Sequence, residues 1–136
     1  MTRAAVLLAV IAATLALAAW WRVGNGRVRR PRAAGPAAPL ELLGHEPGLP
    51  TLVQFTGPDC AQCEVAAGVL EDVAGRVDGV RVLTVDAAER LEVAEALGVW
   101  RVPTVLVLDR SGAETARAGG VPRPGELLAA LEGASR

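Results

Sequence analysis

Cys60 and Cys63 are the only thiols in this 136-residue chain, and they share the stretch Gly57-Pro58-Asp59-Cys60-Ala61-Gln62-Cys63. On a helix this spacing puts them one turn apart, with Cα atoms inside disulfide range and both sulfurs on one face. An apolar run, 51–55, precedes them and a helical pattern over 61–73 follows. Thiols that open a helix after a buried strand suit reversible oxidation, because the helix start offers unpaired N–H groups and a positive dipole end that favour thiolate. Cys60, nearest that start, is the expected nucleophile. Cys63, one turn further on and buried, is the expected resolving thiol. Other uses of the pair fit less well. A disulfide closing so short a loop contributes only about 2 kcal/mol. A structural zinc site takes four ligands, and the single histidine, His45, reads as an exposed loop residue. Covalent haem attachment would need His after Cys63, where the chain has Glu64.

The elements that must position the pair follow from apolar periodicity. Residues 51–56 read as a strand with Leu52, Val53 and Phe55 buried, and Asp59 can cap the next helix. In that helix Ala66, Val69, Leu70 and Val73 recur at i, i+3, i+4 and i+7, and Gly75 ends it. The β-branched run 80–85 predicts a strand covered on both faces. A second helical pattern starts at Asp86, carries Leu91, Ala94, Glu95 and Leu97, and stops at Gly98. Val102-Pro103-Thr104 then leads into a strand over 105–108, a turn over 109–112 and a weaker strand over 113–118 that Gly119-Gly120 breaks. Pro124 opens a last helix with Leu127, Leu128 and Leu131 on its apolar side. The order predicts an α/β fold: a mixed central sheet with helices on both faces, its first three strands parallel and a hairpin adding an antiparallel edge.

The N-terminal part has a different character. Residues 4–21 contain neither charge nor Pro, and as a helix they reach about 27 Å, enough to cross a bilayer. Trp20, Trp21 and Arg22 suit the headgroup level at its end. A cleaved signal peptide is the competing reading, with Ala16-Leu17-Ala18 as the cleavage pattern. Residues 1–39 hold six Arg and no acid, whereas 40–136 hold eight Arg against fifteen acids. The expected layout is an anchor over 1–22, a basic and then Pro/Ala-rich linker over 23–39, and a folded domain over 40–136; residues 40–43 are left unassigned. The larger cationic flank follows the apolar segment, which favours a cytoplasmic domain on a single-pass cell-membrane protein. Beside a membrane helix, the cluster from Arg27 to Arg32 reads as a topology signal and lipid contact, not as a nucleic-acid patch.

Over residues 50–133 the chain resembles the thioredoxin family: Cys60-Ala61-Gln62-Cys63 opens the first helix, and Val102-Pro103-Thr104 precedes the hairpin strand after a second crossover. The resemblance implies a thioredoxin-like fold and a thiol-disulfide oxidoreductase needing no metal or organic cofactor. Its partners would be cysteine-containing protein substrates and a further redox partner. It implies a cis Pro103 facing the cysteines, a Val102 backbone free to pair with an extended substrate segment, and Gly119 and Gly120 bordering the same groove. Three departures concern proton handling and helix shape: Asp59 stands where Trp is usual, Gln54 where many members have a buried acid, and Gly68 where a helix-kinking proline is common. Arg101 is a candidate cation to offset Asp59, and Trp100 a candidate partner contact replacing the missing ring. Two alternatives stay open: an extracytoplasmic reductase or oxidase of envelope proteins, and a redox-responsive docking module without turnover.

Overall fold

Leu52, Val53, Gln54 and Phe55 are all buried because the strand that carries them lies inside a sheet covered on both faces. The computed structural model describes residues 1–30, 44 and 46–136. The expectations for Pro31, Arg32, Pro36, Pro39, 40–43 and His45 fall outside the described residues. In chain order the elements are α1 (Thr2–Gly24), β1 (Val28–Arg29), β2 (Thr51–Thr56), α2 (Ala61–Ala74), β3 (Arg81–Asp86), α3 (Leu91–Ala96), β4 (Thr104–Leu108), β5 (Glu114–Gly119) and α4 (Pro124–Ala134). The sheet order is β1-β5-β4-β2-β3.

Alternation along the strands divides the core in two. On one face Val53, Phe55, Leu106 and Leu108 pack with Val93, Ala94 and Val99 from α3 and the residues after it. On the other, Leu52, Val105, Val107 and Ala116 meet Leu70 and Val73 of α2 and Leu127, Leu131 and Ala134 of α4. Burying each such leucine contributes about 1.5–3 kcal/mol, so these two aliphatic layers hold the domain together without much aromatic packing.

Connection lengths decide strand direction. Helix α2 has 14 residues, about 21 Å, which carries the chain back along the whole length of β2 so that β3 pairs with it in parallel. The second crossover is shorter than the periodicity suggested. Asp86 Oδ1 accepts hydrogen bonds from the Ala88 and Glu89 N–H groups at 2.8 and 3.3 Å, holding a turn where helix was expected. That leaves α3 six residues, about 9 Å, beside a strand of about 20 Å. The helix recovers less than half of that length, and β4 runs antiparallel to β2, against the expectation of three parallel strands. The same short helix leaves β3 an incompletely covered edge, with Val85 its one buried residue, so the β-branched run is not sandwiched as expected. Leu91 is exposed, and Val93 and Ala94 form the inward face of α3.

Strands β4 and β5 form the hairpin. Its turn is held by Asp109, whose Oδ1 accepts from the N–H groups of Ser111 and Ala113 at 2.9 and 3.0 Å, with Gly112 at φ 85°. Burial pushes the Asp109 carboxyl up, but these bonds and that from the Ser111 hydroxyl outweigh it and leave the pKa below the usual aspartate value. In β5, Arg117 makes a two-pronged ion pair with Glu114, with Nη2–Oε2 at 2.7 Å, which raises the Arg117 pKa.

Residues 23–30, read from sequence as the start of a linker, are partly folded into the domain. Strand β1 pairs antiparallel with β5 in the register Val28–Ala118 and Arg29–Arg117. The Val28 N–H donates to Glu126 Oε2 of α4 at 2.9 Å, the main reason the Glu126 carboxyl lies below its ordinary range. Ahead of β1, α1 has 23 residues and a mean hydropathy of 2.2 over its most apolar window, with no residue buried. Thr14, its one polar interior residue, satisfies its hydroxyl on the Val10 carbonyl at 2.8 Å. The helix is long and apolar enough to cross a membrane.

Candidate active site

The sheet register brings the separate motifs to one end of the domain. Phe55, at the end of β2, pairs with Thr104, at the start of β4, and Thr104 pairs with Gly119, at the end of β5. The loop from Gly57 to Cys60, the Val102–Pro103 peptide and the Gly119-Gly120 pair are therefore neighbours at one end of the sheet. A Cβ on Gly57 would lie 3.3 Å from Val102 Cγ2, so the missing side chain lets the cysteine loop approach the Pro103 loop closely. The Val102–Pro103 bond is cis, Pro103 is buried, and Val102 is exposed. The Gly120 N–H donates to the Pro103 carbonyl at 2.7 Å, and Gly120 has φ 95°, where a side chain would be strained.

Cys60 and Cys63 form a disulfide, with Cα atoms 5.2 Å apart. Cys60 is the N-cap of α2, and its Sγ accepts from the Cys63 N–H at 3.2 Å. The expected cap, Asp59, does not serve: it sits at φ 51°, exposed, and the helix starts one residue too late for its carboxylate to reach the first-turn donors. Cys63 is 3% exposed, whereas Cys60 is only partly covered. An approaching sulfur therefore meets Cys60 first. Behind the pair, Gln54 Nε2 donates to the Cys63 carbonyl at 2.7 Å, and Gln54 Oε1 is buried with no partner among the described residues. A cleft of about 580 Å³ beside the cysteines is lined by Gln54, Asp59, Glu64 and Thr84 among others.

Arg101 does not line that cleft. Its guanidinium turns away to the Gly119 carbonyl at 3.2 Å, and it faces a separate hollow that also holds Trp100, which is 79% exposed. Trp100 and Arg101 thus stand on the Gly119 side of Pro103, away from Asp59.

The family model described as thioredoxin matches residues 45–132. The chain belongs to the thioredoxin family. Among curated thioredoxins it is similar to thioredoxin 1 of Synechococcus elongatus, 30% identical over 79 residues, or 57% of this chain and 74% of that protein. It is also similar to an SPbeta prophage-derived thioredoxin-like protein of Bacillus subtilis, 33% identical over 76 residues, or 56% of this chain and 88% of the other. Among solved structures, a mutant thioredoxin of Halobacterium salinarum superposes with a TM-score of 0.62 at 22% identity, covering 76% of this chain and 88% of that one. Thioredoxin of Fasciola hepatica gives 0.59 at 24% identity, covering 75% and 96%. The fold is thioredoxin-like, and with its Cys60–Cys63 disulfide the domain is a thiol-disulfide oxidoreductase of this family.

Periodicity and motif reading missed Asn25 and Gly26. The Gly26 N–H donates to the Gly119 carbonyl at 2.7 Å, and the Asn25 side chain covers Gly120, where a Cβ would meet Asn25 Oδ1 at 2.7 Å. Arg123 Nη2 donates to the Val23 carbonyl at 3.3 Å, a second tie to the end of α1. An Asn-Gly dipeptide just after an apolar helix is a turn signal, and it was the available clue. The end of α1 thus lies at the same end of the sheet as the cysteines.

Proposed function

We propose that this protein is a membrane-tethered reductase of protein disulfides acting at the cytoplasmic face. In this reading the Cys60 thiolate attacks a substrate disulfide, forming a Cys60–substrate disulfide and releasing the first substrate thiolate. Cys63 then gives up its proton and attacks Cys60 Sγ, which expels the second substrate thiolate and leaves the Cys60–Cys63 disulfide. Two electrons pass to the substrate, and a dithiol partner must restore them to the pair. Val102 offers its backbone to an extended substrate segment, Pro103 and the Gly119-Gly120 pair border the groove, and Trp100 lies beside it as a contact.

The observation that carries the proposal is the partly exposed Cys60 at the α2 N-terminus, backed by a buried Cys63 and set at the end of the sheet shared with Pro103 and Gly119. Proton handling here differs from a site with a buried acid. Gln54 cannot take the Cys63 proton, so water or another group must accept it, and Asp59 adds a negative charge that works against thiolate at Cys60. The tether rests on α1, and the cytoplasmic side on the cationic excess that follows the apolar segment 4–21, Arg22, Arg27, Arg29, Arg30 and Arg32, against Arg3 and the α-amino group before it.

Reduction of insulin disulfides with dithiothreitol as electron donor tests the chemistry. The full chain should turn over and Cys60→Ser should not; redox-dependent capture of a partner without turnover would favour a docking module instead. Labelling of intact cells with an impermeant maleimide tests the side, and ready reaction at Cys60 would place the domain outside.

A further inference from the structure

We propose that an anionic phospholipid headgroup binds in a cationic hollow formed by Arg27, Arg29 and Arg101 beside the end of α1. This rests on the reading of α1 as a membrane span. Two adjoining cavities, about 300 and 270 Å³, share these three arginines. Trp20 and Trp21 line the first, and Trp100 and Arg117 line the second.

The charge inventory points to a missing anion. Arg117 is already neutralised by Glu114 and donates to the Leu97 carbonyl at 2.8 Å. Among the described residues Arg101 donates only to an uncharged carbonyl, that of Gly119. Among the described residues the side chains of Arg27 and Arg29 have no hydrogen-bond partner and no Asp or Glu lines either cavity, although Arg29 also lines a further hollow that Glu126 shares. Glu126 lies close enough to feel Arg27, but it is engaged by the Val28 N–H and by Arg123. Three guanidinium groups with no hydrogen-bonded carboxylate among the described residues therefore line both cavities, and their planar forks suit phosphate oxygens.

The apolar wall selects the source of the phosphate. A soluble anion would use only the arginines, whereas a phospholipid also places its glycerol and first acyl carbons against the indole rings of Trp20 and Trp21, at the depth where such rings sit in a bilayer. Binding there would also bear on the redox site. Arg101 is two residues from Pro103, and its carbonyl accepts from Thr104 Oγ1 at 2.7 Å, so a headgroup held by Arg101 steadies the loop entering β4 and keeps the cysteine end of the sheet facing the membrane.

The test is lipid retention by the full chain, solubilised in non-ionic detergent with equal phosphatidylglycerol and phosphatidylcholine and read by native mass spectrometry. The expected result is one retained phosphatidylglycerol in preference to phosphatidylcholine. Its retention should weaken roughly 25-fold in the R27Q/R29Q double variant, since each arginine at an anionic surface is worth about fivefold. Both side chains are exposed and β1 pairs through its backbone, so these changes spare the fold; R3Q, outside the hollow, should retain lipid normally. Equal retention of both lipids, or none by a chain that resists carbonate extraction from membranes, overturns the proposal while α1 remains a span. Displacement of the lipid by millimolar inorganic phosphate, or by an acidic peptide, overturns it in favour of a soluble anion or a protein segment. Release of the chain by carbonate removes the membrane reading itself, and the proposal with it.

Discussion

Replacing Gln54 with Met asks whether the buried amide behind Cys63 stabilises the domain at all. Gln54 is 2% exposed; its Nε2 donates to the Cys63 carbonyl at 2.7 Å, while Oε1 is buried without a partner among the described residues. Met is unbranched and of similar length, so it fills the same space while deleting both polar atoms. Losing the hydrogen bond costs about 1 kcal/mol, and the Cys63 carbonyl keeps the α2 ladder as its other partner. Removing the orphaned oxygen recovers about 1–3 kcal/mol of desolvation. The expected net effect is between zero and about 2 kcal/mol of stabilisation, an unusual sign for a change to a buried, hydrogen-bonded residue. Urea denaturation of the oxidised full chain in non-ionic micelles, followed by far-UV circular dichroism, measures it, with α1 as a constant background. The midpoint should hold or rise with the slope unchanged. A destabilisation beyond about 2 kcal/mol would refute the reasoning, because Oε1 would then have to be bonded, for instance to an ordered water.

Three further outcomes are expected. Gln54→Glu places an ionisable group at the same point, and because burial raises the pKa of a carboxyl, release of the mixed disulfide should gain a second pH-dependent limb beyond that of Cys63 deprotonation; an unchanged pH profile in stopped-flow exchange would separate residue 54 from the resolving step. Gly26→Ala puts a Cβ onto the Val121 carbonyl at φ 77°, so the tie between the end of α1 and β5 should loosen, with hydrogen exchange at the residue 26 and Val28 amides at least about tenfold faster and strands β2 and β4 unaffected; equal exchange in both proteins would contradict it. The third concerns Asp109. Its folded pKa is depressed, so its stabilisation is full above the unfolded carboxylate pKa and lost as pH falls through the folded value. Asp109→Asn should therefore flatten the stability profile below about pH 4, and an identical acid limb in the variant would count against the turn described here.

How far the sequence revealed the fold depended on element length. Strand β2, helix α2, the hairpin and α4 each have enough residues for a period to show, and Leu70, Val73, Leu127 and Leu131 are buried where the spacing put them. The two residues of β1 carry no period, and their place was determined by pairing with Ala118 and Arg117, contacts distant in sequence. The direction of β4 turned on a competition at 86–90: apolar spacing favoured helix, and the Asp86 carboxylate instead closed a turn. At the site, residue types announced the cysteines and Pro103, because their chemistry is local. The turning of Arg101 to Gly119 and the docking of Asn25 and Gly26 on the Gly119-Gly120 pair depend on an end of the sheet assembled from four strands, which spacing alone does not display.

The central claim, that Cys60 attacks and Cys63 resolves, is tested most directly by trapping. Cys63→Ser keeps the partly exposed nucleophile at the helix start and removes the only thiol able to displace a bound partner. Mixed with a model protein disulfide, this variant should accumulate a stoichiometric, dithiothreitol-sensitive adduct through Cys60, while Cys60→Ser gives none. Absence of an adduct from Cys63→Ser, or an equal adduct from Cys60→Ser, would contradict the account.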